Sequence, residues 1–159
     1  MRATITGIIL SVVVAAGAFA HDTTRERIVD DEGAPAGLPF SNAVRVGDTL
    51  YIAGHLGFDA KTQMPPADAR EEARLVLDGV KATVEKAGFT MNDLVSVTVF
   101  CSDLSQYEAF NGVYRGYFSG GFPARAFIGS GTLIRGARFE VLGVAVRAPA
   151  PAAGSAAAH

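Results

Sequence analysis

The stretch 122–146, FPARAFIGSGTLIRGARFEVLGVAV, constrains the fold of this chain more than any other. It holds two strand-like runs joined by a Gly-rich connector. In the first, 124–130, Arg125, Phe127 and Gly129 alternate with Ala124, Ala126 and Ile128. The second, 138–146, is rich in Val, Phe and Leu. Each carries a charged residue at a position of half-buried character: Arg125 in the first, Glu140 in the second. Closed as an antiparallel hairpin on a loop at 131–134, the runs set Arg125 opposite Glu140. Opposed residues share a sheet face, so a guanidinium and a carboxylate then stand side by side. A slip of one residue in register destroys the pairing.

The rest of the chain alternates strand and helix signals. Residues 21–33 are polar and charged and read as a flexible lead-in with a short strand at 26–29. Residues 43–46 and 49–53 form strands on a tight Gly47–Asp48 turn. Gly54-His55-Leu56-Gly57 follows, where backbone can approach a ligand closely, and 61–66 is a loop. Over 67–87 the period becomes helical. Ala69, Ala73, Val76, Val80, Val84 and Ala87 form an apolar stripe with Leu77 at its edge, and Gly88 stops the helix. Gly79 inside it implies close packing. Residues 94–101, apolar and β-branched, read as a strand covered on both faces. Asp103 or Ser105 caps a second helix, 106–118, with Tyr107, Phe110, Val113 and Tyr114 facing inward. The order β-β-α-β-α-β-β gives an α+β fold, a mixed sheet with two helices packed on one face. Its other face is apolar and calls for a partner. The tail at 148–159, APAPAAGSAAAH, is low-complexity and expected to be disordered.

Bulk properties exclude several classes of function. One domain with a real core fits 159 residues. A net charge of −2 gives no overall attraction for phosphate backbones. The single cysteine, Cys101, excludes an internal disulfide and reads as a buried strand thiol. No His or Cys pair has metal-ligand spacing. At the N-terminus, Arg2, the apolar run 8–16 and Ala18-Phe19-Ala20 form a secretory signal peptide, 1–20, cleaved before His21. The rival is an uncleaved anchor, for which the apolar run is short. The mature chain is then expected outside the cytosol, in the periplasm of a Gram-negative source.

Several short motifs, in order and spacing, carry a resemblance. These are Gly37-Leu38-Pro39-Phe40-Ser41-Asn42-Ala43, Gly47-Asp48-Thr49-Leu50-Tyr51-Ile52-Ala53-Gly54, and Val97-Thr98-Val99-Phe100 with Asp103-Leu104. Phe110-Asn111, Tyr114 and Phe122-Pro123-Ala124-Arg125 follow, with Glu140 fifteen residues beyond the arginine. Together, over residues 34–147, they resemble the RidA family (YjgF, L-PSP) of small imine and enamine deaminases. The resemblance implies the chorismate-mutase-like fold of that family. It also implies a homotrimer with ligand pockets between adjacent subunits, and no cofactor.

It further implies roles. Arg125 holds the carboxylate of a 2-imino or 2-enamino acid, which suits its planar bidentate fork. Glu140 orients water for attack and shuttles a proton to the departing nitrogen. Around them Phe40, Ala53, Gly54, His55, Asn111 and Phe127 fall at substrate-binding positions. Several depart from the best-known deaminases: Phe40 replaces a tyrosine, Ala53 a serine and His55 a glutamine-like residue. Ile134 replaces the proline of the family's connector, and the bulky Phe127 can narrow the pocket. Structural rivals are an Arg125–Glu140 ion pair, pairing of Glu140 with Arg138 or Arg147, and a surface role for Asn111. Against the deaminase stands a non-catalytic, small-carboxylate-binding or chaperone-like trimer, motivated by the lost polar groups. Endoribonuclease activity is disfavoured by the acidic charge and the absence of a basic stripe.

Overall fold

The computed structural model describes residues 24–29 and 39–147. The signal-peptide expectation for 1–20 and the tail at 148–159 lie outside the described residues, as does most of the lead-in. Six strands form one mixed sheet: β1 (Arg25–Ile28), β2 (Ala43–Val46), β3 (Thr49–Leu56), β4 (Leu94–Cys101), β5 (Ala124–Gly129) and β6 (Phe139–Val146). Their order across the sheet is β1-β2-β3-β6-β4-β5. Only β4 and β5 run parallel. The helices are α1 (Ala69–Lys86) and α2 (Tyr107–Tyr114), the latter flanked by single 3₁₀ turns. They pack on each other and on one face of the sheet. Among the described residues, no helix is long and apolar enough to cross a membrane.

Local sequence accounts for most of these elements. The β2–β3 turn falls at Gly47, whose φ of 56° suits glycine. Asp68 caps α1 by accepting from the Arg70 N–H. The apolar stripe of α1 is buried throughout, Leu77 included, and Gly88 ends the helix at φ 76°. A Cβ on Gly79 would stand 3.3 Å from His55 Cδ2, which explains a glycine in mid-helix. The strand expected at 26–29 is β1, paired antiparallel with β2. Cys101 is fully buried, and burial pushes its thiol pKa up.

Two expectations are overturned. First, β5 and β6 do not form a hairpin. The segment β4–α2–β5 is a crossover that returns β5 parallel to β4, and β6 inserts between β3 and β4. The connector therefore wraps the end of β4, where the Ser130 N–H donates to Cys101 O and the Ser102 N–H to Arg138 O. Second, β4 is covered on one face only. Val97, Val99 and Cys101 are buried against the helices, whereas Thr98 and Phe100 are half-buried on the opposite face. That open face also presents Tyr51, Ile128, Leu142, Val144 and Val146, three of them exposed: Tyr51, Ile128 and Val146. It is a sheet face with its apolar residues uncovered.

Candidate active site

The strand order decides where Arg125 and Glu140 stand. Arg125 shares a row with Val97, and Glu140 shares a row with Phe100, three residues further along β4. Successive strand residues alternate between faces, so an odd offset puts the two side chains on opposite faces. They also lie two strands apart, about 14 Å in the plane of the sheet at ordinary strand spacings. Within one chain, the expected Arg125–Glu140 juxtaposition and the rival ion pair are both excluded.

Arg125 lies on edge strand β5 and faces α2. Its Nη2 donates to Asn111 Oδ1 at 2.8 Å. The guanidinium carbon stands 4.6 Å from the Tyr114 ring centroid, 5.5 Å from Phe127 and 6.0 Å from Tyr107, distances at which a cation is attracted to the ring face. Spacings of four and three residues place Tyr107, Asn111 and Tyr114 on one side of α2. No carboxylate pairs with Arg125 among the described residues. A cavity of about 230 Å³ opens beside it, lined by Tyr107, Asn111, Tyr114, Arg115, Phe122, Pro123 and Arg125. The Tyr114 hydroxyl is buried and has no hydrogen-bond partner among the described residues. Burial pushes its pKa up to about 12 against the opposing pull of Arg125, so the phenol stays protonated at neutral pH.

Glu140 stands on the open face, in a row with Ile128, Phe100 and Leu56. Its side chain makes no hydrogen bond or ion pair among the described residues. Its carboxylate lies over Gly54, where an added Cβ would collide with Glu140 Oε1. The close approach inferred for this glycine is thus to Glu140. Neither rival partner takes Glu140. Arg138 binds Glu72 at 2.6 Å, and Arg147 lies over the Phe89 ring at 4.5 Å.

The remaining candidates divide between these places. Asn111 is buried, not a surface residue. Phe127 packs edge-on against Tyr107 at 4.9 Å and Phe110 at 5.5 Å. It therefore supports the Arg125 guanidinium from the core side and does not narrow the cavity. An irregularity between Ile52 and His55 turns His55 to the helix side. There its Nδ1 lies 2.8 Å from Ala53 O and its Nε2 2.8 Å from Thr83 Oγ1. The carbonyl demands a donor at Nδ1, and the threonine hydroxyl can either give or take the bond at Nε2. The Ala53 N–H donates to Asn42 O, and Phe40 is exposed ahead of β2. Phe40, Ala53 and His55 do not line the Arg125 cavity. Tyr107 and Tyr114, read from sequence as core, do line it, together with Arg115 and Phe122, which sequence reasoning missed. For Tyr107 and Tyr114, the α2 spacing from Asn111 was the available signal. Among the described residues, no group of three His, Cys, Asp or Glu side chains could hold a metal ion.

Residues 31–147 match the family described as Endoribonuclease L-PSP. The chain belongs to this family, RidA/YjgF/L-PSP. Among curated relatives, the 2-iminobutanoate/2-iminopropanoate deaminase of Capra hircus is 38% identical over 125 residues, which span 77% of this chain and 91% of the relative. Among solved structures, the YjgF gene product of E. coli superposes with a TM-score of 0.71 at 32% identity, covering 77% of this chain and 99% of its own. E. coli TdcF with bound serine gives 0.70 at 30% identity, covering 77% and 100%. The six-stranded sheet with two helices is the RidA/YjgF fold.

Proposed function

We propose that this RidA-family protein hydrolyses 2-imino acids, formed by tautomerisation of 2-enamino acids, to 2-keto acids and ammonia. It does so as a homotrimer with its sites between subunits. One observation carries the reading: the Arg125 guanidinium is fixed by Asn111 and three aromatic rings, pairs with no carboxylate among the described residues, and borders an open cavity at the sheet edge. A half-buried guanidinium with no carboxylate partner suits a substrate carboxylate. Two comparisons lend support: the relative from Capra hircus is named for deaminating two such imines, and TdcF binds serine, whose α-carboxylate suits the same anchor.

In this mechanism Glu140 comes from the neighbouring subunit, because the fold separates it from Arg125 of its own chain. It takes a proton from water as the water oxygen bonds to C2 of the imine, and returns a proton to the nitrogen. The hydroxyl proton of the resulting carbinolamine then passes by way of Glu140 to the nitrogen as the C–N bond breaks, so ammonia leaves and the keto group forms. Imines hydrolyse unaided, so holding carboxylate and water in place is a sufficient source of acceleration. Assembly would also cover the apolar sheet face around Glu140. A chain that stays monomeric keeps only the carboxylate-binding half, and that is the second reading: binding without turnover. The net charge of −2 gives no reason to extend the endoribonuclease description to this chain.

The test generates 2-imino acids with an amino-acid oxidase in the presence of semicarbazide and follows suppression of semicarbazone formation. Wild type is expected to suppress it, and Arg125→Ala to lose at least about a hundredfold in kcat/KM. Equal suppression by both would show that Arg125 is not the anchor. No suppression for any side chain would leave binding alone. Gly54→Ala probes the other half. Its Cβ displaces a flexible carboxylate, so the stability cost is expected to be about 1 kcal/mol or less. Activity should fall at least about tenfold through misplaced Glu140. Unchanged activity with a normal thermal melt would remove Glu140 from the mechanism.

A further inference from the structure

A second guanidinium, Arg115, lines the same cavity as Arg125. It follows Tyr114 at the end of α2, as the first residue of the 3₁₀ turn Arg115–Tyr117. The Arg115 side chain makes no hydrogen bond or ion pair among the described residues. The hydrogen bond that holds Arg125 goes to a neutral amide, Asn111. The nearest acidic residue on the same helix, Glu108, lies two turns back, about 10 Å along the axis. The cavity therefore carries two positive charges on its wall that pair with no carboxylate among the described residues. Tyr107, Phe122 and Pro123 add apolar surface to the same lining. A volume of about 230 Å³ lies below the range typical of drug-sized ligands, so the occupant is small.

We propose that the site takes small dicarboxylates: 2-imino acids whose side chain ends in a second carboxylate. Arg125 binds the carboxylate next to the imine carbon, and Arg115 the distal one. The short methylene stem between them lies against the apolar lining. The imine part of this assignment rests on the deaminase reading; the pairing of two anions with two guanidiniums does not. A single-carboxylate ligand leaves Arg115 unpaired, so the two classes should be separated by one charge-assisted contact, about tenfold in affinity. Arg115 is exposed, so the difference should shrink as salt is raised.

The measurement is calorimetric titration of the full chain with 2-oxoglutarate and with 2-oxobutanoate, stable keto counterparts of the two imine classes. Wild type, Arg115→Gln and Arg115→Lys are compared. The expected result is about tenfold tighter binding of 2-oxoglutarate by wild type, a ratio collapsing towards one in Arg115→Gln, and partial recovery in Arg115→Lys. Equal affinities in wild type, an undiminished ratio in Arg115→Gln, or failure of both acids to bind would each overturn the proposal. The semicarbazide assay separates this from the deaminase reading. A dicarboxylate preference with no turnover of any imine keeps the proposal and removes the deaminase. Turnover of 2-iminobutanoate without the preference does the reverse.

Discussion

Subunits carrying Arg125→Ala, mixed with subunits carrying Glu140→Gln, are expected to recover activity that neither shows alone. Within one chain, Arg125 and Glu140 face opposite sides of the sheet. A reaction that needs both must take one from each of two chains. In the proposed cyclic trimer every interface would join Arg125 of one subunit to Glu140 of the next. Random mixing in equal amounts makes about a quarter of the interfaces fully wild type, so about a quarter of wild-type activity should return. Co-expression with two affinity tags supplies the mixed assemblies, and the semicarbazide assay reads them. Each parent alone should fall at least about a hundredfold below wild type. A mixture no more active than its parents would mean that the site is complete within one subunit. That would require Glu140 or Arg125 to act through groups other than those proposed, since the register holds them apart. The edge position of β5 favours recovery, because the Arg125 cavity lies beside a strand that no other described strand flanks on its outer side.

The sequence shows some of this clearly and some not at all. The α1 stripe, the Gly47 turn and the alternation along β5 are local patterns, and each appears where its spacing put it. The pairing of Arg125 with Glu140 failed because strand adjacency was read from sequence adjacency. What separates β5 from β6 is β4, thirty residues upstream of Ala124 at its first residue, Leu94. Nothing in 122–146 encodes that insertion. The α2 crossover did offer a hint: a strand reached through a helix usually returns parallel, which removes it from a hairpin with the strand that follows. The aromatic setting of Arg125 was legible in outline, since Tyr107, Asn111 and Tyr114 recur at helical spacing. The same spacing also describes a core face, and only the position of β5 beneath α2 distinguishes the two. Arg115 reads as an ordinary surface cation until Phe122 and Pro123 are seen closing the cavity beside it.

Glu72→Ala is expected to cost about 3–5 kcal/mol, the range for breaking a buried charge pair by removing one partner. Glu72 is fully buried in α1, on the apolar side between Ala69 and Val76. Its Oε1 accepts from the Arg138 N–H at 2.6 Å and from the Phe139 N–H at 3.1 Å, while its Oε2 accepts from Arg138 Nε at 2.6 Å. The alanine variant leaves two backbone donors and a half-buried guanidinium without their acceptor, a loss that a cavity water can make good only in part. The melting temperature should fall by more than about 10 °C. Glu72→Gln keeps an acceptor but loses the charge, and should fall between the two. A loss below about 1 kcal/mol in Glu72→Ala would show that Arg138, which also donates to Ala67 O at 2.9 Å, holds the connector without help. The consequence reaches the site, because Phe139 opens β6 one residue before Glu140. A carboxylate on the buried face of α1 fixes where the last strand begins, and so where Glu140 comes to rest over Gly54. Glu72 is thus the residue through which helix packing sets the register of the proposed water-orienting group. The sequence hid it because a glutamate in the first turn of a helix already has a sufficient explanation in the helix dipole.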